Sequence, residues 1–151
     1  MQIWVDADAC PKAIKEVLFR AAERTRILTT MVANRHQHTP RSEFVSLLVA
    51  ASGVDEADEE IVSRVAAGDL VITSDIPLAS QVIERGGQAL SPRGELYTAE
   101  NMGARLNMRD FLESLRSSGS VDAGGPPPLS QADRQAFADH LDRILARAGA
   151  S

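Results

Sequence analysis

Short runs of β-forming residues alternate with stretches of helical periodicity along most of this chain, and no other feature constrains its fold as much. Gln2–Val5, Arg26–Val32 and the compact run Leu70–Thr73 read as strands, with Gln88–Leu90 as a short last one. Phe44–Ala50 is apolar and short enough to be a strand or a helical turn, and the alternation favours a strand. Pro11 suits a first helical turn, and Ile14, Val17, Leu18 and Ala21 carry that helix to about Glu23. A second helix is expected over Asp55–Ala67, with acids in its first turn and Gly68 as its stop. A third opens at Pro77 and closes at Gly86-Gly87. Two short helices fit Ala99–Leu106 and Met108–Ser117, with Thr98 and Asn107 as N-caps. Strands alternating with helices imply a small, mostly parallel sheet covered on both faces, a three-layer α/β domain over residues 1–117.

Beyond it, SGSVDAGGPPPL (118–129) has the composition of a linker. Ser130 then caps an amphipathic helix within 130–151, whose stripe is Phe137, Leu141, Ile144 and Leu145. That stripe needs cover from its own domain or from a second subunit, which leaves a homodimer open. With 151 residues the chain can build one proper core but not two.

The net charge of −5 argues against a protein that grips nucleic acid through a broad basic surface, although carboxylates of a metal site would contribute to that acidity. One cysteine, Cys10, excludes an internal disulfide and a multi-cysteine zinc site. No apolar run reaches the eighteen or so residues needed to span a membrane, and no signal peptide is visible, so a soluble cytoplasmic protein is the expectation.

The chemistry lies in carboxylates at strand ends. IWVDADACP (3–11) carries Asp6 and Asp8 beyond the first strand, and Asp75 follows Leu70–Thr73. Ligands of open α/β sheets sit beyond the carboxyl ends of strands, so these acids are delivered to one edge. Asp6 and Asp8, two apart, share a face while the chain stays extended. In the second helix, counting back along the stripe Ile61, Val62, Val65 reaches Asp58, an acid on an inward face that needs a partner. Taken singly, each is an ordinary cap or turn former. Together the four would repel one another unless a cation intervened, and hard oxygen ligands favour Mg²⁺ or Mn²⁺ over zinc.

The segments WVDADACP, VITSDIPLA, SPRGELYT, RDFLESLRSSG and GGPPPLSQADRQAF resemble the bacterial YaiI/YqxD family over nearly the whole chain. That family is grouped with the PIN-like domains, small parallel α/β sheets whose acids bind divalent metal, and whose nuclease members hydrolyse phosphodiester bonds in RNA or DNA. The resemblance implies a PIN-like fold, and by analogy a metal-dependent nuclease or phosphodiesterase. Asp6 matches the acid after the first strand, Asp58 the acid from a helix, and Asp75 the acid after the fourth strand, with Asp8 an additional carboxylate. Asp8 would be ligand or water-orienting base, and Arg93 and Arg35 would hold phosphate oxygens.

Two alternatives stand beside this. Asp-x-Asp after a strand also opens haloacid-dehalogenase-like phosphatases, where the first Asp is the nucleophile, and the same acids could serve a non-catalytic metal- or nucleic-acid-binding module. Cys10 reads as a small buried thiol near a helix start, where its pKa could be lowered. His36 and His38 lie in the polar loop NRHQHTPRS, the one basic patch of note together with Arg35 and Arg41.

Overall fold

The computed structural model describes residues 1–50, 56–117 and 128–149. The expected alternation is present as six strands and five helices among them: β1 (Ile3–Asp6), α1 (Lys12–Thr25), β2 (Thr29–Ala33), β3 (Val45–Val49), α2 (Glu56–Arg64), β4 (Leu70–Ile72), α3 (Ile76–Glu84), β5 (Gln88–Leu90), β6 (Leu96–Tyr97), α4 (Ala99–Ser117) and α5 (Gln131–Arg147). The ambiguous run after residue 43 is a strand, paired in parallel with β2. Asp55 and most of the glycine- and proline-rich 118–129 segment lie outside the described residues. No helix among the described residues is long and apolar enough to cross a membrane.

One sheet runs in the order β3-β2-β1-β4-β5-β6. All pairs are parallel except β5–β6, which is antiparallel. β6 has only two residues, too few for any periodicity to announce it. The chain builds outward from β1 through β2 and β3, then crosses back to lay β4 on the other side of β1. That reversal makes the carboxyl ends of β1 and β4 the switch point at which such sheets bind ligands.

Successive strand residues face opposite layers, and both layers are apolar. Ile3, Val5, Met31, Leu70 and Ile72 pack with Ile14 and Leu18 of α1 and with Phe137, Leu141 and Leu145 of α5. Trp4, Val32 and Val71 pack on the other face with Ala57 and Ile61 of α2 and Leu78 and Val82 of α3. α4 lies outside α3, where Met102 joins Ala79, Ala89 and Tyr97. It is a single helix and not two. Asn107 carries no break with it, since an asparagine within a helix costs only a few tenths of a kcal/mol to about 0.7 kcal/mol against alanine. Thr98 does open it: its Oγ1 accepts from the Asn101 N–H at 3.2 Å while Asn101 Oδ1 accepts from the Thr98 N–H at 2.9 Å.

α5 packs on its own domain, and the SPRG turn is its cradle. Ser130 and Asp133 form a reciprocal capping box at its start. Arg93 Nη1 donates to Asp133 Oδ2 at 2.7 Å, in a pair whose side chains are only about a third exposed (34% and 27%). Gly94 takes φ +86°, and a Cβ there would sit 2.7 Å from backbone atoms of Ala136 and Phe137. Only glycine lets the helix come that close.

Candidate active site

β1 delivers Asp6 to the switch point as a buried carboxylate, 9% exposed. Its Oδ2 accepts from Thr73 Oγ1 at 2.9 Å. Thr73, one residue past β4, is itself buried, and its hydroxyl oxygen accepts from the Asp75 N–H at 3.0 Å. One hydroxyl therefore ties the ends of β1 and β4 together. Burial pushes the Asp6 carboxyl above its ordinary value; the Thr73 bond opposes this, and the charges of Asp75 and Asp8 add to it.

The consequence for stability has a definite sign. Because the folded-state value lies above the ordinary 3.8, this group's contribution is complete below about pH 3.8 and is lost as pH rises through the raised value. Asp6→Asn keeps an oxygen for Thr73 and removes the charge. It should raise the metal-free Tm at pH 7 by a few degrees, at about 2–4 °C per kcal/mol for a domain of this size, with the gain vanishing near pH 3. Melts at the two pH values measure it; an unchanged or lower Tm at pH 7 would contradict the reading of Asp6 as an unrelieved charge.

Asp75 has two occupations. Its Oδ1 accepts from the Leu78 N–H at 3.0 Å, capping α3 with Pro77 in the first turn, so it is structural as well as adjacent to Asp6. Asp58 stands half-buried on α2 and, with Asp75, lines a cleft of about 550 Å³ between α2 and α3. Ser63, Gln81, Arg85 and Glu59 share that cleft. Glu60 pairs with Arg64 at 2.8 Å on the outside.

Asp8 departs from the expected geometry. The alternation that would hold it beside Asp6 ends at Ala7, where the chain enters a 3-10 turn, Ala7–Ala9. Asp8 is exposed, and its oxygens are turned to the loop after β2. Oδ2 accepts from the Asn34 N–H at 2.8 Å, and Oδ1 from Gln37 Nε2 at 3.5 Å. Among the described residues no three of His, Cys, Asp and Glu stand together as a group that could hold one ion, so the four-carboxylate cluster is not assembled.

Of the expected phosphate-binding arginines, Arg93 is committed to Asp133 and Arg35 lies exposed in the loop after β2. His36 and His38 are exposed in the same loop. Cys10 is buried, and that burial pushes its thiol up to about 12, the reverse of an activated nucleophile. Thr73 was legible only as part of VITSD, with nothing to distinguish it from an ordinary strand end.

Fold and site define a three-layer α/β domain with acidic residues at its strand-order switch point. The chain belongs to the YaiI/YqxD family: residues 4–147 match the family described as "Uncharacterized BCR, YaiI/YqxD family". It is similar to the UPF0178 protein PSHAb0045 of Pseudoalteromonas translucida (strain TAC 125), at 65% identity over 97% of each chain. The UPF0178 protein of Shewanella amazonensis (strain ATCC BAA-1098 / SB2B) is 67% identical over 97% of this chain and 98% of its own. Among solved structures, a variant of Rae1 (YacP) from Bacillus subtilis covers 97% of this chain and 99% of its own at 19% identity. Its TM-score of 0.42 is too low to bear on function.

Proposed function

We propose that this protein hydrolyses phosphodiester bonds in RNA or DNA with a divalent ion, Mg²⁺ or Mn²⁺, held by Asp6 and Asp75. The observation that carries the reading is the buried Asp6 carboxylate at the switch point. Its one hydroxyl bond is outweighed by burial and by two neighbouring negative charges, and a cation would reverse that balance. The donor set suits such an ion. Mg²⁺ keeps most of its waters and commonly takes only one or two carboxylates plus substrate phosphate oxygens, so Asp6 and Asp75 suffice without a closed cage.

When bound, the ion would polarise the phosphoryl oxygens and lower the pKa of an attacking water. The protein's own residues do the rest. Thr73 fixes the direction of the Asp6 carboxylate through its 2.9 Å bond. Asp8 anchors the loop at Asn34 and Gln37, which supports a role in shaping the substrate edge more than one as a ligand. Arg85, in the cleft with Asp58 and Asp75, takes over the phosphate-binding role that Arg93 gives up to Asp133. Arg35, exposed beside that edge, serves the same purpose for a flanking phosphate.

The test is a cleavage assay of purified protein on single-stranded RNA and DNA with Mn²⁺, beside Asp6→Asn. Cleavage should require the metal and fall at least a hundredfold in the variant. Cleavage that survives chelation, or that Asp6→Asn leaves intact, contradicts the proposal.

A further inference from the structure

Basic charge is segregated in this acidic chain. Residues 9–42 contain seven of its 16 lysines and arginines but two of its 21 acids, and both lysines of the protein, Lys12 and Lys15, are among them. The fold concentrates this segment further. α1 and the loop after β2 enclose a cleft of about 620 Å³ lined by Lys12, Lys15, Phe19, Gln37 and His38, with Glu16 the acid on its wall. Lys12, Lys15 and Phe19 follow one another at spacings of three and four, the interval that stacks side chains along one helix face. Phe19 is half-buried and packed against the main core, so its ring is anchored on one side and presented on the other.

Hydrogen bonds link this cleft to the acidic edge. Lys15 Nζ donates to Gln37 Oε1 at 2.6 Å, and Gln37 Nε2 donates to Asp8 Oδ1 at 3.5 Å. A two-bond path thus runs from the basic groove to the residue two positions beyond Asp6. A polyanion lying along Lys12 and Lys15 would be led to the carboxylate end of β1.

We propose that this cleft is a subsite for single-stranded nucleic acid, with Lys12 and Lys15 contacting phosphates and an unpaired base stacking on Phe19. The inference rests on the phosphodiesterase reading above for what happens next, but the binding it predicts does not require cleavage. Paired lysines beside an aromatic platform are the elements with which proteins hold single strands without reading sequence. A base inside a duplex presents no free face to the ring. Glu16 weakens the site by facing the same phosphates.

The test is fluorescence anisotropy of a labelled oligouridylate with the full chain in chelator, so that no cleavage occurs. The double variant Lys12→Ala, Lys15→Ala should bind at least tenfold more weakly. It should also flatten the slope of log affinity against log salt by about 1.4, the loss of two contacts at roughly 0.7 each. Phe19→Leu, which keeps the buried part of the side chain, should weaken binding about tenfold with the salt slope unchanged, and Glu16→Gln should tighten it. Thermal melts confirm that the variants are folded.

Equal binding by the double variant overturns the cleft and leaves the phosphodiesterase reading intact, since Mn²⁺-dependent cleavage with the Asp6→Asn control judges that separately. Lysine-dependent capture of a polyglutamate peptide with no binding of oligouridylate assigns the cleft to an acidic peptide and overturns the proposal. No binding by the wild type at low salt overturns it as well.

Discussion

Phe137→Ala should destabilise the protein by about 3–5 kcal/mol, the usual cost of emptying a fully buried aromatic site. Phe137 is completely buried, on the α5 face that packs with Ile14 and Leu18 of α1 and with β1 and β4. The helix that follows the glycine- and proline-rich segment is therefore part of the main core, and its removal would uncover the sheet. Gly94→Ala attacks the same contact from the other side. Its Cβ would meet backbone atoms of Ala136 and Phe137 at 2.7 Å, at a φ of +86° that L-residues rarely adopt. Urea unfolding of both variants measures the effect. A loss below about 1 kcal/mol for Phe137→Ala would mean that α5 is held loosely, since even mild core truncations cost that much.

Asp69→Ala should cost about 3 kcal/mol or more, because one carboxylate there serves three donors. Asp69 is buried just before β4. Its Oδ1 accepts from the Gln2 N–H at 2.9 Å; its Oδ2 accepts from Trp4 Nε1 at 3.1 Å and from the Ala66 N–H at 2.9 Å. It thus joins the entry of β1 to the end of the α2 connection. Asp69→Asn keeps the shape but must turn its NH₂ toward a donor, so it should fall between wild type and Asp69→Ala. Chemical unfolding with Trp4 fluorescence follows both. If Asp69→Ala matches wild type, the three bonds contribute nothing net.

What could be read from the sequence depended on the range of the interaction. The strands and helices were legible because their periodicities are local, and a three-layer domain follows once β-runs and helices alternate. The α5 stripe was legible for the same reason, and Ser130 marked its start. The surface that receives α5 was not legible, because it depends on Gly94 approaching Ala136 and Phe137 from some forty residues away in the chain. Arg93 looked like a phosphate ligand for want of that knowledge, since Asp133 is equally distant.

At the site, Asp6 and Asp75 were legible as acids delivered from two strand ends to one edge of the sheet; that β1 and β4 are neighbours was not. Asp8 misled because the two-residue rule holds only in extended chain, and the 3-10 turn begins between the two aspartates. Asp69, between the helix stop Gly68 and the strand, carried no reading from its own position. The signal for it was present: a tryptophan in a buried strand must find an acceptor for its indole N–H.

Tm with and without millimolar Mn²⁺, for wild type and Asp6→Asn, shows whether a divalent ion completes Asp6 at the switch point. An ion that binds only the folded state at a hundred times its Kd adds about 2.7 kcal/mol, or roughly 5–10 °C for a domain of this size. Wild type should show a rise of that order, and Asp6→Asn a higher metal-free Tm with almost no response to Mn²⁺. A wild-type Tm that ignores Mn²⁺, or an equal rise in both proteins, would contradict a divalent ion at Asp6.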